Sequence, residues 1–412
     1  MPNSEPSAAK RVLIYSHDTF GLGHLRRCRT IAQALVAKNA QLSVLILSGS
    51  PIIGQFDFGK RVDFVRIPGV IKLQNGEYTS SNLDMPIEQT VALRAAIIEQ
   101  TAKAFRPDLF IVDKEPLGLR GEVQGALDHM HRNDVPCVLG LRDVLDDPAS
   151  LAQEWRRKKA APALQDLYAE IWVYGLPQIC EPLAGLNLPA SVRHKTTFTG
   201  YLRRTLPTVE PFARQLDEVK AKIGDTFILV TPGGGGDGAK SVDWVLKAYE
   251  ADPNIPFSAL IVLGPFMPAD ERRRFLERTR DLNKVGTITF DAYLENLMDQ
   301  AIAVVAMGGY NTFCEILSFD KPALLLPRVA PRREQLIRAE KARELGLVSM
   351  LDISGATDAH LMATVLRQLP QQSPPSSQVI PGLLDGLKNV NLLADRLFNR
   401  NRQTLNLLNS TG

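Results

Sequence analysis

The sequence predicts an α/β protein built as two doubly wound parallel-sheet domains in tandem. Three observations carry this expectation. Short, near-continuous apolar runs alternate with amphipathic helical stretches. The alternation is interrupted once, at residues 203–212 (RRTLPTVEPF), where two prolines break the pattern, and then restarts. Glycine-rich turns stand directly after strands in both halves.

In the first half, residues 11–16 (RVLIYS) read as a strand, followed by an amphipathic helix from about 25 to 37. Strands follow at 43–48 (SVLILS) and 62–67, and residues 87–105 are helical by their apolar spacing. Residues 109–112, 137–141, 171–174 and 196–198 continue the strand series. The second half repeats the scheme with strands at 227–230, 259–263, 287–290, 302–305 and 323–326. Runs apolar on both faces belong to a sheet covered by helices on either side. Residues 371–381 read as a loop and 384–398 as a closing helix. The expected layout is a disordered N-terminus over 1–10, a first domain over 11–203, a linker over 204–212, a second domain over 213–383, and a closing helix and tail over 384–412.

Composition narrows the function classes. The 412 residues are enough for two cores, and the net charge of +3 suits an anionic ligand such as a nucleotide without the basic excess of a nucleic-acid binder. Cys28, Cys137, Cys180 and Cys314 are far apart and form no CxxC pair, so they read as buried thiols of a reducing compartment. No apolar run approaches the ~18 residues of a membrane span, and the polar start lacks a signal-peptide core. A cytoplasmic location is expected.

Ligands of open parallel sheets bind at the carboxyl ends of the strands, and three motifs fall there. The first is His17-Asp18-Thr19-Phe20-Gly21-Leu22-Gly23-His24. Gly21 and Gly23 would let the backbone approach a ligand at a helix N-terminus, where His24 can take a proton from a bound hydroxyl. A plain tight turn fits the same residues, and His17 competes with His24 as the base. The second is Gly233-Gly234-Gly235-Gly236 after strand 227–230, a nest of amides suited to a diphosphate. It lacks the Gly-Lys-Ser/Thr ending of a Walker loop, and a flexible surface loop is the alternative. The third is Ala306-Met307-Gly308-Gly309-Tyr310-Asn311-Thr312-Phe313-Cys314-Glu315. Gly308 and Gly309 make the turn, Asn311 or Thr312 can cap the helix, and Glu315 can accept two ribose hydroxyls. Favourable interaction of Glu315 with the helix dipole is the competing reading.

Gly308-Gly309-Tyr310-Asn311-Thr312-x-x-Glu315, with Lys321-Pro322-Ala323-Leu324-Leu325-Leu326-Pro327 and Glu334-Gln335, resembles the donor-binding half of glycosyltransferase family 28. Phe20-Gly21-Leu22-Gly23-His24 is similar to the glycine-rich, histidine-ending N-terminal loop of inverting GT-B transferases. The resemblance covers most of the chain in order. It implies the GT-B fold, two Rossmann-like domains facing a central cleft with the closing helix packing back on the N-terminal domain. It further implies that Glu315 holds the donor ribose, that Gly233 to Gly236 with Gly308 and Gly309 bind the diphosphate, and that Tyr293 and Leu294 meet the uracil. Glu334 and Gln335 would contact the transferred sugar. His24 would be the general base, and Asp113, at the end of a strand, would orient it or serve as a turn residue.

Two departures bear on substrate identity. The lipid II-forming members of the family carry Gln-Gln where this chain has Glu334-Gln335, and residues 329–333, with Arg332 and Arg333, also differ. The arginines fit either a phosphate or acidic sugar, or a solvated helix start. The chain contains no D-x-D triplet, and Asp146-Asp147 before a proline reads as a turn. No metal and no cofactor are therefore expected beyond the nucleotide-sugar co-substrate. The polar stretch 69–85 reads as a functional loop of an acceptor domain. Arg156-Arg157-Lys158-Lys159 reads as a solvated helix face or as a peripheral contact with the inner face of the plasma membrane. The expected activity is inverting, metal-independent transfer of a hexose or N-acetylhexosamine, UDP-linked, to a hydroxyl of a glycan, lipid-linked or small acceptor. The rivals are a nucleotide-sugar hydrolase or 2-epimerase, and a non-catalytic donor-binding subunit.

Overall fold

A computed structural model describes residues 9–18, 22–72, 77–207 and 214–410 of the chain. The chain divides into two compact units. The first runs to Pro177, resumes over Glu181–Leu202 and takes the chain from Asp385 onward, whereas the second comprises Gln178–Cys180 and Arg203–Leu384.

The first unit opens with β1 (Lys10–Ser16), α1 (Gly23–Lys38), β2 (Leu42–Ser48) and β3 (Val62–Arg66). Then come β4 (Val70–Lys72), β5 (Tyr78–Ser80), α2 (Ile87–Phe105), β6 (Leu109–Asp113), α3 (Gln124–Arg132) and β7 (Cys137–Arg142). It continues through α4 (Pro148–Arg157), α5 (Ala160–Asp166), β8 (Glu170–Tyr174), α6 (Ala190–His194) and β9 (Thr196–Phe198). Its described residues form a parallel sheet ordered β3-β2-β1-β6-β7-β8-β9. Every residue of β6 and β8 is buried, as strands covered on both faces require. Leu13, Phe110, Leu139 and Ile171 on neighbouring strands join one core with Ile98 of α2 and Leu127 of α3.

The second unit contains α7 (Arg214–Ile223), β10 (Phe227–Thr231), α8 (Ala239–Ala251), β11 (Ser258–Val262) and α9 (Ala269–Arg280). These lead to β12 (Val285–Ile288), α10 (Leu294–Gln300), β13 (Ala303–Ala306), α11 (Tyr310–Ser318) and β14 (Ala323–Leu325). It ends with α12 (Glu334–Glu344), β15 (Ser349–Met350) and α13 (Ala359–Gln368). Its sheet is parallel in the order β12-β11-β10-β13-β14-β15. Ile228, Ala259, Val285 and Val305 face a second core shared with Trp244 and Phe275. The final helix, α14 (Gly386–Ser410), belongs to the first unit. Asn389 of α14 donates to the Thr199 carbonyl at 2.8 Å, and Arg396 bonds Glu170 at 2.7 Å.

Three sequence expectations need correction or delimitation. Part of stretch 69–85 is a two-stranded antiparallel ladder, not a loop, with Val70 paired to Ser80 and Lys72 to Tyr78. Its short β-branched and aromatic runs lie within otherwise polar sequence, which hid them. Asp147 is a helix cap: its carboxylate accepts from Ser150 N at 3.1 Å, and Pro148 opens α4. Gly21, residues 1–8 of the N-terminal segment, 73–76 of the presumed loop and 208–212 of the linker lie outside the described residues.

Candidate active site

In each sheet one strand pair marks the point where strand order reverses, which is where the carboxyl ends open a crevice. In the first unit this pair is β1 and β6. The chain leaving β1 carries His17 and Asp18, α1 then presents His24, and Asp113 is the last residue of β6. Sequence-predicted residues 89 positions apart thus meet: His24 Nδ1 bonds Asp113 Oδ2. Arg27, one turn along α1, donates from Nε at 2.8 Å and from a terminal nitrogen at 2.5 Å to Asp113 Oδ1. His17 is placed differently. Its Nδ1 lies 3.1 Å from the Tyr15 hydroxyl, and its ring stands edge-on to His24 with centroids 5.7 Å apart.

The electrostatics assign the roles. Burial pushes the Asp113 carboxyl up, but Arg27 and His24 outweigh it and hold the group well below the usual carboxylate range. An ionised Asp113 can only accept, so His24 donates its Nδ1 proton and keeps a lone pair on Nε2. The terminal nitrogen of Arg27 also lies 3.1 Å from His24 Nδ1, but both atoms carry protons, so Asp113 is their common acceptor. Burial lowers His24 to about 4, against the raising effect of Asp113, so the ring is a neutral base at pH 7. His17 is lowered well below its ordinary value, chiefly by burial. Asp18 accepts from Leu25 N at 3.1 Å, near the start of α1, and from Ser48 Oγ at 2.6 Å. Burial nevertheless raises its carboxyl to about 6.

In the second unit the reversal falls between β10 and β13. Gly233 to Gly236 follow β10, and Gly308-Gly309 follow β13. A Cβ on Gly235 would sit 2.3 Å from the Leu263 carbonyl oxygen, at a φ of +88°, so only glycine fits the approach of this loop to β11's end. Gly308 has φ +77°, and a Cβ there would meet Leu325 at 3.0 Å. Arg338, fully buried in α12, donates to the Gly308 carbonyl at 2.9 Å and fixes that turn. Arg328 ties the region together, pairing with Asp237 of the glycine loop and with Glu334 Oε1 at 2.7 Å. Its backbone N–H donates to Gln335 Oε1 at 3.2 Å. Tyr293 is the N-cap residue of α10, its N–H donating to Asp291 at 2.7 Å, and Leu294 starts that helix, buried.

The capping assignment for α11 changes. Gly309 is its N-cap residue and no side chain caps it; Asn311 Oδ1 instead accepts from Arg204 at 2.7 Å. Thr312 is buried within the helix. Glu315 lies beyond the first turn, which contains no acid, and its side chain is buried. The dipole reading therefore loses its force, because that effect is confined to the first turn.

Residues 227–378 match the glycosyltransferase family 28 C-terminal domain. The chain is 23% identical over 407 residues to an uncharacterized glycosyltransferase of Methanosarcina acetivorans, spanning 91% of this chain and 96% of that protein. It is 31% identical over 160 residues to the UDP-N-acetylglucosamine--N-acetylmuramyl-(pentapeptide) pyrophosphoryl-undecaprenol N-acetylglucosamine transferase of Streptococcus thermophilus. That match covers 38% of this chain and 42% of the relative. Among solved structures, Medicago truncatula UGT71G1, complexed with UDP-glucose, superposes with a TM-score of 0.61 at 13% identity, covering 94% of this chain and 98% of that one. The calicheamicin glycosyltransferase CalG4 gives 0.57 at 13% identity, covering 95% and 99%. The chain is a GT-B glycosyltransferase with a family 28 C-terminal domain.

Sequence reasoning missed several residues of this glycosyltransferase. Arg27 follows His24 by three positions, the spacing that places both on one helix face, and this was the signal that could have found it. Asp18 was noted only as a neighbour of His17. Arg94, Glu122 and Tyr15 form a buried set behind His17, with Arg94 Nε 2.5 Å from Glu122 Oε2. Nothing in their spacing announced it. Lys158 of the basic cluster bonds Glu115 at 2.7 Å and Glu154 at 2.6 Å, whereas Arg156 and Arg157 are exposed.

Proposed function

We propose that the chain is an inverting, metal-independent transferase that moves a hexose or N-acetylhexosamine from a UDP-sugar to an acceptor hydroxyl. The observation that carries the reading is the His24–Asp113 pair at the strand reversal of the first unit. Asp113 holds the imidazole in one tautomer, and no described residue bonds the Nε2 that this leaves bare. That atom takes the acceptor's proton as its oxygen attacks the anomeric carbon, and Asp113 stabilises the resulting imidazolium. The diphosphate leaves from the opposite face of the sugar. In the second unit the amides of Gly233 to Gly236, Gly308 and Gly309 would receive it, with Glu315 on the ribose. Charge develops on the leaving diphosphate, and fixed amide dipoles stabilise it without reorganising. The UDP complexes of the structural relatives support the choice of nucleotide. A lipid-linked acceptor, reached at the inner face of the membrane, would follow the Streptococcus relative.

The test incubates the purified chain with UDP-glucose or UDP-N-acetylglucosamine and a panel of hydroxyl acceptors, following UDP release and the anomeric proton of new product. Transfer with inverted configuration, lost in His24→Ala, is expected. Steady donor consumption without any acceptor would instead favour a hydrolase or epimerase.

A further inference from the structure

A cavity of about 550 Å³ opens in the first unit against His17. His17 lines it from the end of β1, Glu115 and Leu117 from the segment after β6, Tyr78 from β5, and Arg157 and Lys158 from the end of α4. Most of its polar lining is already engaged: Lys158 bonds Glu115 and Glu154, and Arg120 bonds Glu88 at 2.9 Å. His17 presents its ring to the same cavity, and its hydrogen-bonding state follows from the groups behind it.

The Tyr15 hydroxyl lies 2.5 Å from Glu122 Oε1, and that carboxylate is bonded twice by the buried Arg94 guanidinium, at 2.5 and 2.6 Å. Burial keeps the Tyr15 phenol protonated, its pKa raised well above 10. A phenol has one proton, and here it goes to Glu122. The Tyr15 oxygen must therefore accept from His17, so His17 carries its proton on Nδ1 and a bare lone pair on Nε2. Among the described residues nothing bonds that nitrogen, while the ring lines the cavity. His24, whose ring centroid lies 5.7 Å from that of His17, reaches the same tautomer through Asp113. Two neighbouring imidazoles thus each carry a bare Nε2, yet only His24 has its other nitrogen bonded to the carboxylate that a general base needs.

We propose that His17 selects the acceptor: its Nε2 receives a hydrogen bond from a second hydroxyl of a polyhydroxylated, sugar-like acceptor, beside the hydroxyl that His24 deprotonates. This rests on the transferase reading and names the acceptor class for it. A flat, singly hydroxylated aromatic acceptor would cover the His17 lone pair without replacing the water it loses, an unfavourable burial. A carbohydrate ring offers a donor to each histidine.

The first arm of the test is the ¹⁵N ring spectrum of the full chain labelled at histidine, with His17→Phe to assign the signal. Protonated Nδ1 with bare Nε2 at pH 7.5, lost in Tyr15→Phe, is expected. A proton on Nε2 overturns the proposal. The second arm measures kcat and KM for methyl glycosides, each intact and with single hydroxyls removed, against a simple phenol. Removing one hydroxyl other than the attacked one should lower kcat/KM on the order of tenfold. That difference should vanish in His17→Phe and partly return in His17→Gln, whose side-chain oxygen can still accept. Turnover of the phenol but of no glycoside, or an unchanged deoxy penalty in His17→Phe, overturns it. UDP binding measured alongside separates the two claims. Its loss in wild type counts against the transferase reading, whereas its retention in His17→Phe shows a folded variant.

Discussion

Replacing Asp113 with asparagine tests the chemistry of the first unit, because the two groups have one shape and opposite hydrogen-bonding on one side. The asparagine oxygen can keep both Arg27 bonds, now at 2.8 and 2.5 Å. Its amide nitrogen then faces His24 Nδ1 and can only donate. His24 must release the Nδ1 proton and carry it on Nε2, which removes the lone pair that takes the acceptor's proton. The corresponding change in a Ser-His-Asp triad lowers kcat by about 10⁴ through the same tautomer reversal, and a loss of about that size is expected here. Stability falls as well. Arg27 is only 1% exposed and loses its countercharge, so about 3 kcal/mol is expected, the low end for breaking a buried pair, because the amide oxygen still accepts. UDP release with the preferred acceptor reports the rate, urea unfolding reports the stability, and ¹⁵N ring spectra report the His24 tautomer. Asp113→Asn keeping more than about a tenth of kcat, or leaving His24 Nε2 bare, would refute the reasoning.

Three further predictions follow from the same structure. His24 is held near 4 by burial, so kcat should stay level as pH falls to about 5 and decline on a limb near 4. The same depression bears on stability. His24 titrates near 6.5 in the unfolded chain and near 4 in the native one, so the stability it contributes is present above 6.5 and is lost as pH falls between these values, at up to about 1.4 kcal/mol per pH unit. Asp18, raised to about 6, has the opposite sign: its contribution is present at low pH and lost as pH rises through 6. Comparing melts of wild type and His24→Gln cancels Asp18, and the wild type should lose more stability between pH 7.5 and 5. In the second unit, Gly308→Ala should cost about 2 kcal/mol, from its positive φ and the Leu325 contact. Gly309→Ala has nothing within 4 Å of the new Cβ and should unfold within about 0.5 kcal/mol of wild type while weakening UDP binding. Equal melting temperatures for the pair would contradict the first half, and unchanged UDP affinity in Gly309→Ala the second.

The tandem α/β architecture was legible because fully buried parallel strands are written as unbroken apolar runs. Those of β1, β6, β8 and β10 were located to within a residue or so. The reversal points were legible indirectly, since each carried a glycine turn or a histidine. The pairing of His24 with Asp113 was accessible only as a resemblance, because no local pattern links residues on α1 and β6. The hydrogen-bonding of His17 was not accessible at all. It depends on Tyr15 of β1, Arg94 of α2 and Glu122 from the segment before α3, whose one-proton accounting appears only when they are packed together. Asn311 illustrates the converse. Its type and place suit a helix cap, but Arg204 from the segment entering the second unit takes its side chain instead.

The central claim is tested most directly by isothermal titration of wild type and Glu315→Ala with UDP, UDP-N-acetylglucosamine, UDP-glucose and GDP-mannose. UDP and one UDP-sugar should bind to wild type. In Glu315→Ala their affinity should fall on the order of tenfold to a hundredfold, as expected for losing charge-assisted bonds to the ribose. Absence of binding by any nucleotide, or equal affinity in the variant, would contradict it.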